Sequence, residues 1–275
     1  MDHYCVMGNP VEHSRSPWIH ARFAELTGQD LAYGKRLIPL DRFGPALQAF
    51  IQEGGRGCSI TVPFKFEAAR QASHSSERAT LAQAANVLTF RDGGLWADNT
   101  DGVGLVNDIE RNAGFDLRGR HLLLLGAGGA AAGVLGPLLQ ARPARITVAN
   151  RTRSKADALV QRHAALALQE KTARVAQDLS NLSSSFDVLI NATASSLSGA
   201  GVPIAPSVLK RGALAYDMMY GPGAQDFLQW ARAHGATARD GLGMLVEQAA
   251  EAFLIWRGVR PPAPQVLAEL RALLG

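Results

Sequence analysis

The run Leu122-Leu123-Leu124-Leu125-Gly126-Ala127-Gly128-Gly129-Ala130 constrains this chain more than any other stretch. An apolar strand enters a glycine-rich turn and then small residues able to open a helix. Gly126 permits the tight turn, and Gly128 lets the backbone approach a pyrophosphate. Gly129 and Ala130 let the helix lie close to the sheet. The first N–H groups of that helix, and the positive end of its dipole, then face the phosphates. By itself the pattern also fits an ordinary strand-to-helix turn. The context favours the nucleotide reading. A second apolar run, Ile146 to Ala149, follows after a helix-length gap and ends in Asn150-Arg151-Thr152. That is where, about 20 residues past the glycines, a dinucleotide site meets the adenosine ribose. An acidic residue there would bind a 2′-hydroxyl. Arg151, with Arg153 and Lys155 nearby, suits a 2′-phosphate, so the chain reads as an NADP(H) binder.

The rest of the chain supports a second domain beside this one. A length of 275 residues, with 47% hydrophobic and 19% charged residues, suffices for two real cores. The net charge of +4 and pI near 9.3 come from scattered basic residues, which read as solvated faces rather than a nucleic-acid surface. Such a bias also serves a phosphate-rich cofactor and an acidic substrate. The two cysteines, Cys5 and Cys58, lie in apolar strand-like runs and read as buried thiols rather than a disulfide or metal pair. No basic start leads into a long apolar core, and no apolar run approaches membrane-spanning length. A cytoplasmic protein with no membrane partner is expected, as a monomer or homodimer.

The first part alternates strand and helix. Tyr4 to Gly8 reads as a strand closed by Asn9-Pro10. Ser16-Pro17 reads as an N-cap with proline at the first helical position, opening a helix that stops near Gly28. Leu37 to Leu40 is a second apolar stretch, with Asp41 placed to cap the next helix. Gly57 to Val62 is a third strand, ended by Pro63. Asn86–Phe90 and Leu95–Ala97 flank Asp92-Gly93-Gly94, a hairpin signal that makes this half a mixed sheet. From about Gly102 the pattern turns to regular βαβ, with strands at Leu122–Leu125, Ile146–Ala149, Val188–Asn191 and Ala213–Asp217. Gly136-Pro137 predicts a kink or early stop in the helix after the glycine loop. Met244 to Trp256 and Gln265 to Leu274 read as closing helices. The fold class is therefore α/β in two domains around a cleft. Residues 1–102, completed by the C-terminal helices 242–275, form a substrate domain, and 103–241 form a Rossmann-type domain.

Three clusters at strand-to-helix junctions could carry chemistry. Ser14 and Ser16, two apart beside a helix N-terminus, suit a carboxylate, although capping alone also explains Ser16 before Pro17. Ser59 and Thr61 share one face of a strand that runs through Pro63 to Lys65, where a surface lysine is the ordinary reading. Asp98-Asn99-Thr100-Asp101-Gly102 reads equally as a turn or helix cap. A lysine and an aspartate at a cleft mouth would form a charge-assisted pair able to move a substrate proton.

In order, the motifs are G-N-P-V-x-H-S-x-S-P (Gly8 to Pro17), T-V-P-F-K (Thr61 to Lys65), Ala85-Asn86 and D-N-T-D-G (Asp98 to Gly102). They continue with G-A-G-G-A (Gly126 to Ala130), N-R-T (Asn150 to Thr152), Y-D-M-x-Y (Tyr216 to Tyr220) and D-G-x-G-M-L-x-x-Q (Asp240 to Gln248). This set resembles the shikimate dehydrogenase family along nearly the whole chain. The resemblance implies an NADP-dependent oxidoreductase of aromatic amino-acid (chorismate) biosynthesis, reducing 3-dehydroshikimate to shikimate. It implies that Ser14 and Ser16 bind the substrate carboxylate, with Thr61 and Tyr220 near it. Lys65 and Asp101 would be the catalytic pair, and Asn86 and Gln248 would hold ring hydroxyls. Gly126, Ala127, Gly128, Gly129 and Ala130 would cradle the pyrophosphate, and Asn150, Arg151, Thr152 and Lys155 the adenosine phosphate. Met218 and Gly241 would lie near the nicotinamide, and no metal is implied. Three positions depart from the family pattern. Ser59 replaces the usual asparagine and is expected to weaken substrate binding, Val87 replaces a threonine, and Ala132 replaces a basic residue. The rivals are a relative acting on quinate or another cyclic hydroxy acid, and a non-catalytic NADP-binding protein.

Overall fold

The computed structural model describes residues 1–193 and 204–274. The chain divides into two compact units, Met1–Gly104 with Leu245–Gly275, and Leu105–Met244.

The first unit holds a mixed six-stranded sheet of β1 (Asp2–Gly8), β2 (Leu31–Leu37), β3 (Gly55–Ile60), β4 (His74–Ser75), β5 (Val87–Arg91) and β6 (Gly94–Asp98), in the order β2-β1-β3-β5-β6-β4. β1 runs parallel to β2 and β3, while β5 is antiparallel to both β3 and β6. Side chains alternate across the sheet. Cys5, Met7, Cys58 and Ile60 point into a core with Phe43, Leu47, Phe64 and Leu88. Both thiols are free and buried, and burial pushes Cys5 up to about 12. On the other face, Tyr4 stacks on Trp256 with ring centroids 4.7 Å apart. A Cβ on Gly57 would come within 2.7 Å of the Trp256 indole nitrogen, so only glycine lets that ring lie on the strand. The covering helices are α1 (Ser16–Thr27) on one side, and α2 (Phe43–Gln52) and α3 (Lys65–Gln71) on the other. The unit also contains α4 (Glu77–Ala82), and its chain leaves through α5 (Asp101–Asn107).

Three local expectations are corrected. Ser16 is the first helical residue rather than the cap: Ile19 N–H already bonds back to the Arg15 carbonyl, and Arg15 occupies the cap position. Asp41 caps nothing, since α2 starts at Phe43 behind Arg42 with no side-chain cap. The second strand lies at Leu31–Leu37, before most of the apolar run, because it is a half-exposed edge strand with a weak apolar signal.

The second unit is a parallel sheet of β7 (His121–Leu125), β8 (Arg145–Asn150), β9 (Ala173–Asp178), β10 (Phe186–Asn191), β11 (Leu209–Asp217) and β12 (Thr237–Arg239), in the order β12-β11-β10-β7-β8-β9. This is the doubly wound Rossmann order, and its switch point lies between β7 and β10. The helices are α6 (Gly129–Gln140), α7 (Arg153–Arg162), α8 (Ala164–Gln169) and α9 (Gln225–Ala233). Of the kink or early stop expected at Gly136-Pro137, the early stop does not occur, and α6 runs on past Pro137 to Gln140. A proline in the last turn forfeits one ladder hydrogen bond, and burial of Leu138 and Leu139 outweighs it. The chain closes with α10 (Leu242–Arg257) and α11 (Ala263–Leu274). No described helix is long and apolar enough to cross a membrane.

Candidate active site

In the first unit, local structure gathers polar residues from four segments. Lys65 opens α3, and its carbonyl accepts from Ala85 N–H at 2.9 Å, which fixes the lysine beside the start of β5. Asp101 opens α5, and its N–H is held by the Asn99 side chain at 3.2 Å. Asn99 in turn donates to the Ala84 carbonyl at 2.8 Å and is fully buried. The Lys65 ammonium donates to Asp101 Oδ2, with side-chain exposures of only 15% and 6%. Lys65 is therefore a recessed, paired cation rather than a surface lysine.

Asn86 ties this pair to the rest. Its amide nitrogen faces Asp101 Oδ1 at 2.9 Å, Thr100 Oγ1 at 2.9 Å and Gln248 Oε1 at 3.1 Å. Its carbonyl oxygen accepts from Thr100 N–H at 2.8 Å. Gln248 comes from α10 and anchors its own amide on the Leu245 carbonyl. Four of the expected residues, Lys65, Asp101, Asn86 and Gln248, thus meet in one hydrogen-bonded knot. Thr100 is a fifth member that sequence reading did not single out.

The hydroxyl residues lie on other loops of the same unit. Ser14 Oγ accepts from Ser16 N–H at 3.3 Å, and Ser16 is buried. Thr61 is partly exposed, and a Cβ on Gly8 would lie 2.2 Å from its methyl. The methyl therefore packs where Gly8 has no side chain.

In the second unit, Gly126 has φ +106°, and a Cβ there would approach the Ala192 carbonyl oxygen to 3.0 Å. Only glycine makes this turn without strain. A Cβ on Gly128 would meet nothing within 4 Å, so the loop rim is open where α6 begins. Ala127, Gly129 and Ala130 are partly exposed there, and the first N–H groups of α6 have no partner within the helix. At the end of β8, Asn150 donates to the Thr152 carbonyl at 2.9 Å and folds the turn. Arg151 and Lys155 are exposed and form no ion pair among the described residues, whereas Arg153 is taken up by Asp157. An anion cradle with two uncommitted cations at the next strand end fits a 2′-phosphorylated dinucleotide. Met218 and Tyr220 follow β11 and are partly exposed. No group of His, Cys, Asp and Glu among the described residues could hold a metal.

Comparison with known proteins fits this geometry. The family model of the shikimate dehydrogenase substrate-binding domain matches residues 6–88, that of shikimate/quinate 5-dehydrogenase 108–199, and that of the shikimate 5′-dehydrogenase C-terminal domain 241–271. A shikimate dehydrogenase (NADP(+)) of Acidovorax sp. (strain JS42) is 67% identical, covering 99% of this chain and 97% of its own. The chain belongs to the shikimate dehydrogenase family. Among solved structures, an Ael1 enzyme from Pseudomonas putida is 47% identical with a TM-score of 0.90, covering 98% of both chains. The shikimate 5-dehydrogenase of Thermus thermophilus, solved with NADP(H) and shikimate, is 30% identical with a TM-score of 0.85 over 100% of both.

The structure also explains glycines in the D-G-x-G motif of this family member. A Cβ on Gly241 would lie 2.3 Å from the Met218 carbonyl oxygen, and one on Gly243 would lie 1.8 Å from Asp108 Oδ1. Asp108 is fully buried. It accepts from Arg239 Nε at 2.7 Å, Tyr216 Oη at 2.8 Å and Asn112 Nδ2 at 2.9 Å. Tyr216 opens the Y-D-M-x-Y motif, but no sequence signal marked Asp108 or Arg239, which lie 131 residues apart.

Proposed function

We propose that this chain is an NADP-dependent shikimate dehydrogenase that interconverts 3-dehydroshikimate and shikimate, acting in the cytoplasm as a monomer or homodimer. The observation that carries the reading is the recessed Lys65–Asp101 pair, joined through Asn86 to Gln248. Relatives of 65–67% identity carry the same name, shikimate dehydrogenase (NADP(+)).

Bound NADP(H) supplies or accepts the hydride. The chain's own residues do the rest. Gly126 to Ala130 present backbone N–H groups to the pyrophosphate, and Arg151 with Lys155, Asn150 and Thr152 receives the adenosine 2′-phosphate. Met218 and Gly241 would lie near the nicotinamide. The hydroxyls of Ser14, Ser16 and Thr61 hold the substrate carboxylate. Lys65 gives a proton to the substrate oxygen as the carbonyl is reduced, and takes it back in the reverse direction. Asp101 holds the ammonium in place, and Asn86 fixes the other carboxylate oxygen so that Oδ2 stays turned to Lys65. Asn86 and Gln248 address the ring hydroxyls.

The test is the rate of NADP reduction with shikimate, with quinate and NAD as controls. Lys65→Ala should cut turnover by about 10²–10⁴ with little change in NADP affinity. A folded Lys65→Ala protein turning over at the parent rate would overturn the assignment.

A further inference from the structure

We infer that Tyr33 is a positioning residue for substrate binding, acting through Ser59. The inference rests on the site reading above and extends it to a residue on a strand that carries no family motif.

Register places the two side chains together. Tyr33 on β2 pairs with Tyr4 on β1, Tyr4 aligns with Gly57 on β3, and Ser59 lies two residues further along β3. Because strands alternate with period two, Tyr33, Tyr4, Gly57 and Ser59 share one face of the sheet, and Thr61 continues it. The phenol reaches across β1 and donates to Ser59 Oγ at 2.7 Å. Ser59 is buried and has no other side-chain partner among the described residues. A hydroxyl that accepts one hydrogen bond keeps its own hydrogen for another acceptor. Tyr33 thus fills one side of the Ser59 oxygen and leaves the serine hydrogen for another acceptor, beside the Ser16 hydroxyl that also reaches the phenol and on the strand face that Thr61 continues. The acceptor that suits the hydroxyls of Ser59, Ser16 and Thr61 is a carboxylate.

The phenol is held for this task. Its ring stacks on His20 with centroids 4.2 Å apart and planes 4° from parallel. His20 is itself enclosed by Phe23, Phe253 and Trp256, and neither ring nitrogen has a hydrogen-bonding partner among the described residues. The histidine therefore acts as a flat apolar plate that does not compete for the phenol hydrogen. Burial raises the Tyr33 phenol well above its ordinary value, with the hydroxyls of Ser59 and Ser16 drawing it partly back, so it remains a donor at neutral pH. An asparagine at position 59 would bring two amide hydrogens of its own. A serine brings one hydrogen with free rotation, and the phenol supplies the missing direction.

The experiment is steady-state kinetics of the full chain with shikimate and NADP. Tyr33→Phe removes one oxygen and keeps the stacked ring, so the KM for shikimate should rise about three- to tenfold. The kcat and the KM for NADP should not move, because the bond serves ground state and transition state alike. Ser59→Ala should raise the same KM, and adding Tyr33→Phe to it should cost nothing further. Ser59→Asn placed in the Tyr33→Phe background should bring the KM back towards the parent value. Ser14→Ala separates the two levels of the argument. If it raises the KM for shikimate while Tyr33→Phe does not, the role of Tyr33 is overturned and the site reading stands. If neither changes it, both are overturned. Additive effects of Tyr33→Phe and Ser59→Ala would also overturn the relay, as would a Ser59→Ala protein whose KM for shikimate is unchanged.

Discussion

Acid should destabilise the first unit beyond what its ion pairs require, because of His20. The ring is 1% exposed, and burial lowers its pKa from 6.5 to about 3. In the unfolded chain the imidazole takes up a proton as pH drops through its ordinary value, whereas in the folded protein it stays neutral until about pH 3. Between those limits the unfolded state binds more protons, so stability rises with pH and is lost as pH falls. This contribution to stability is fully present above 6.5 and declines through the whole window down to about 3. Between pH 7 and pH 5 the unfolded imidazole passes from mostly neutral to almost fully protonated, which corresponds to about 2 kcal/mol of lost stability. The figure depends only on the folded ring staying neutral at pH 5. His20→Phe preserves an aromatic plate against Tyr33 and removes two buried nitrogens that have no partner among the described residues. Urea unfolding of parent and variant at both pH values reads the difference. The variant should retain about 2 kcal/mol more of its pH 7 stability at pH 5 than the parent does. Parallel pH dependences would show that His20 titrates alike in both states and would refute the reasoning. His163 in the second unit, lowered to about 4 by burial, contributes the same sign and remains in both proteins.

Two further outcomes follow from the second unit. Arg151→Ala should raise the KM for NADP far more than that for NAD, since a guanidinium–phosphate contact contributes about 1.5–3 kcal/mol, roughly ten- to a hundredfold; equal use of NADP and NAD by the parent would sink the assignment. Gly243→Ala would place a methyl 1.8 Å from Asp108 Oδ1 and push the carboxylate off Arg239 and Tyr216. Breaking a buried pair of this kind costs about 3–5 kcal/mol, and unchanged urea stability would show that the segment yields easily.

Much of the fold was legible in the sequence for physical reasons. Most of β7, β8 and β10 and the second half of β11 are buried, so apolar residues dominate there, and the β5–β6 hairpin has a glycine-rich turn at its tip. β2, β9 and β12 escaped because they lie at or near sheet edges, where side chains are only half covered and no run forms. The site was legible unevenly. Taken alone, Lys65 is an ordinary lysine after a proline, and only the ordered set of motifs pointed to Asp101, which lies 36 positions away. Thr100 sat inside a quoted motif yet looked like turn chemistry, since its bond to Asn86 depends on how β5 meets β6. Tyr33 and Asp108 gave no signal because their partners are set by strand register and by helix packing, neither of which is a local property.

Asn86 carries two amide hydrogens, but three oxygens crowd around its nitrogen, from Asp101, Thr100 and Gln248. The Thr100 hydroxyl has one hydrogen and two acceptors in reach, on Asn86 and Gln248. With the amide hydrogens on Asp101 and Thr100, and the hydroxyl hydrogen on Gln248, each of these oxygens has one donor and room to accept a second. A hydroxylated ring fills that second place, because each alcohol arrives with a hydrogen of its own, while a deoxygenated ring or an ether brings none. Discrimination of this kind depends on counting hydrogens rather than on fit. It would reject an isosteric molecule lacking the right alcohol even where that molecule fills the same space.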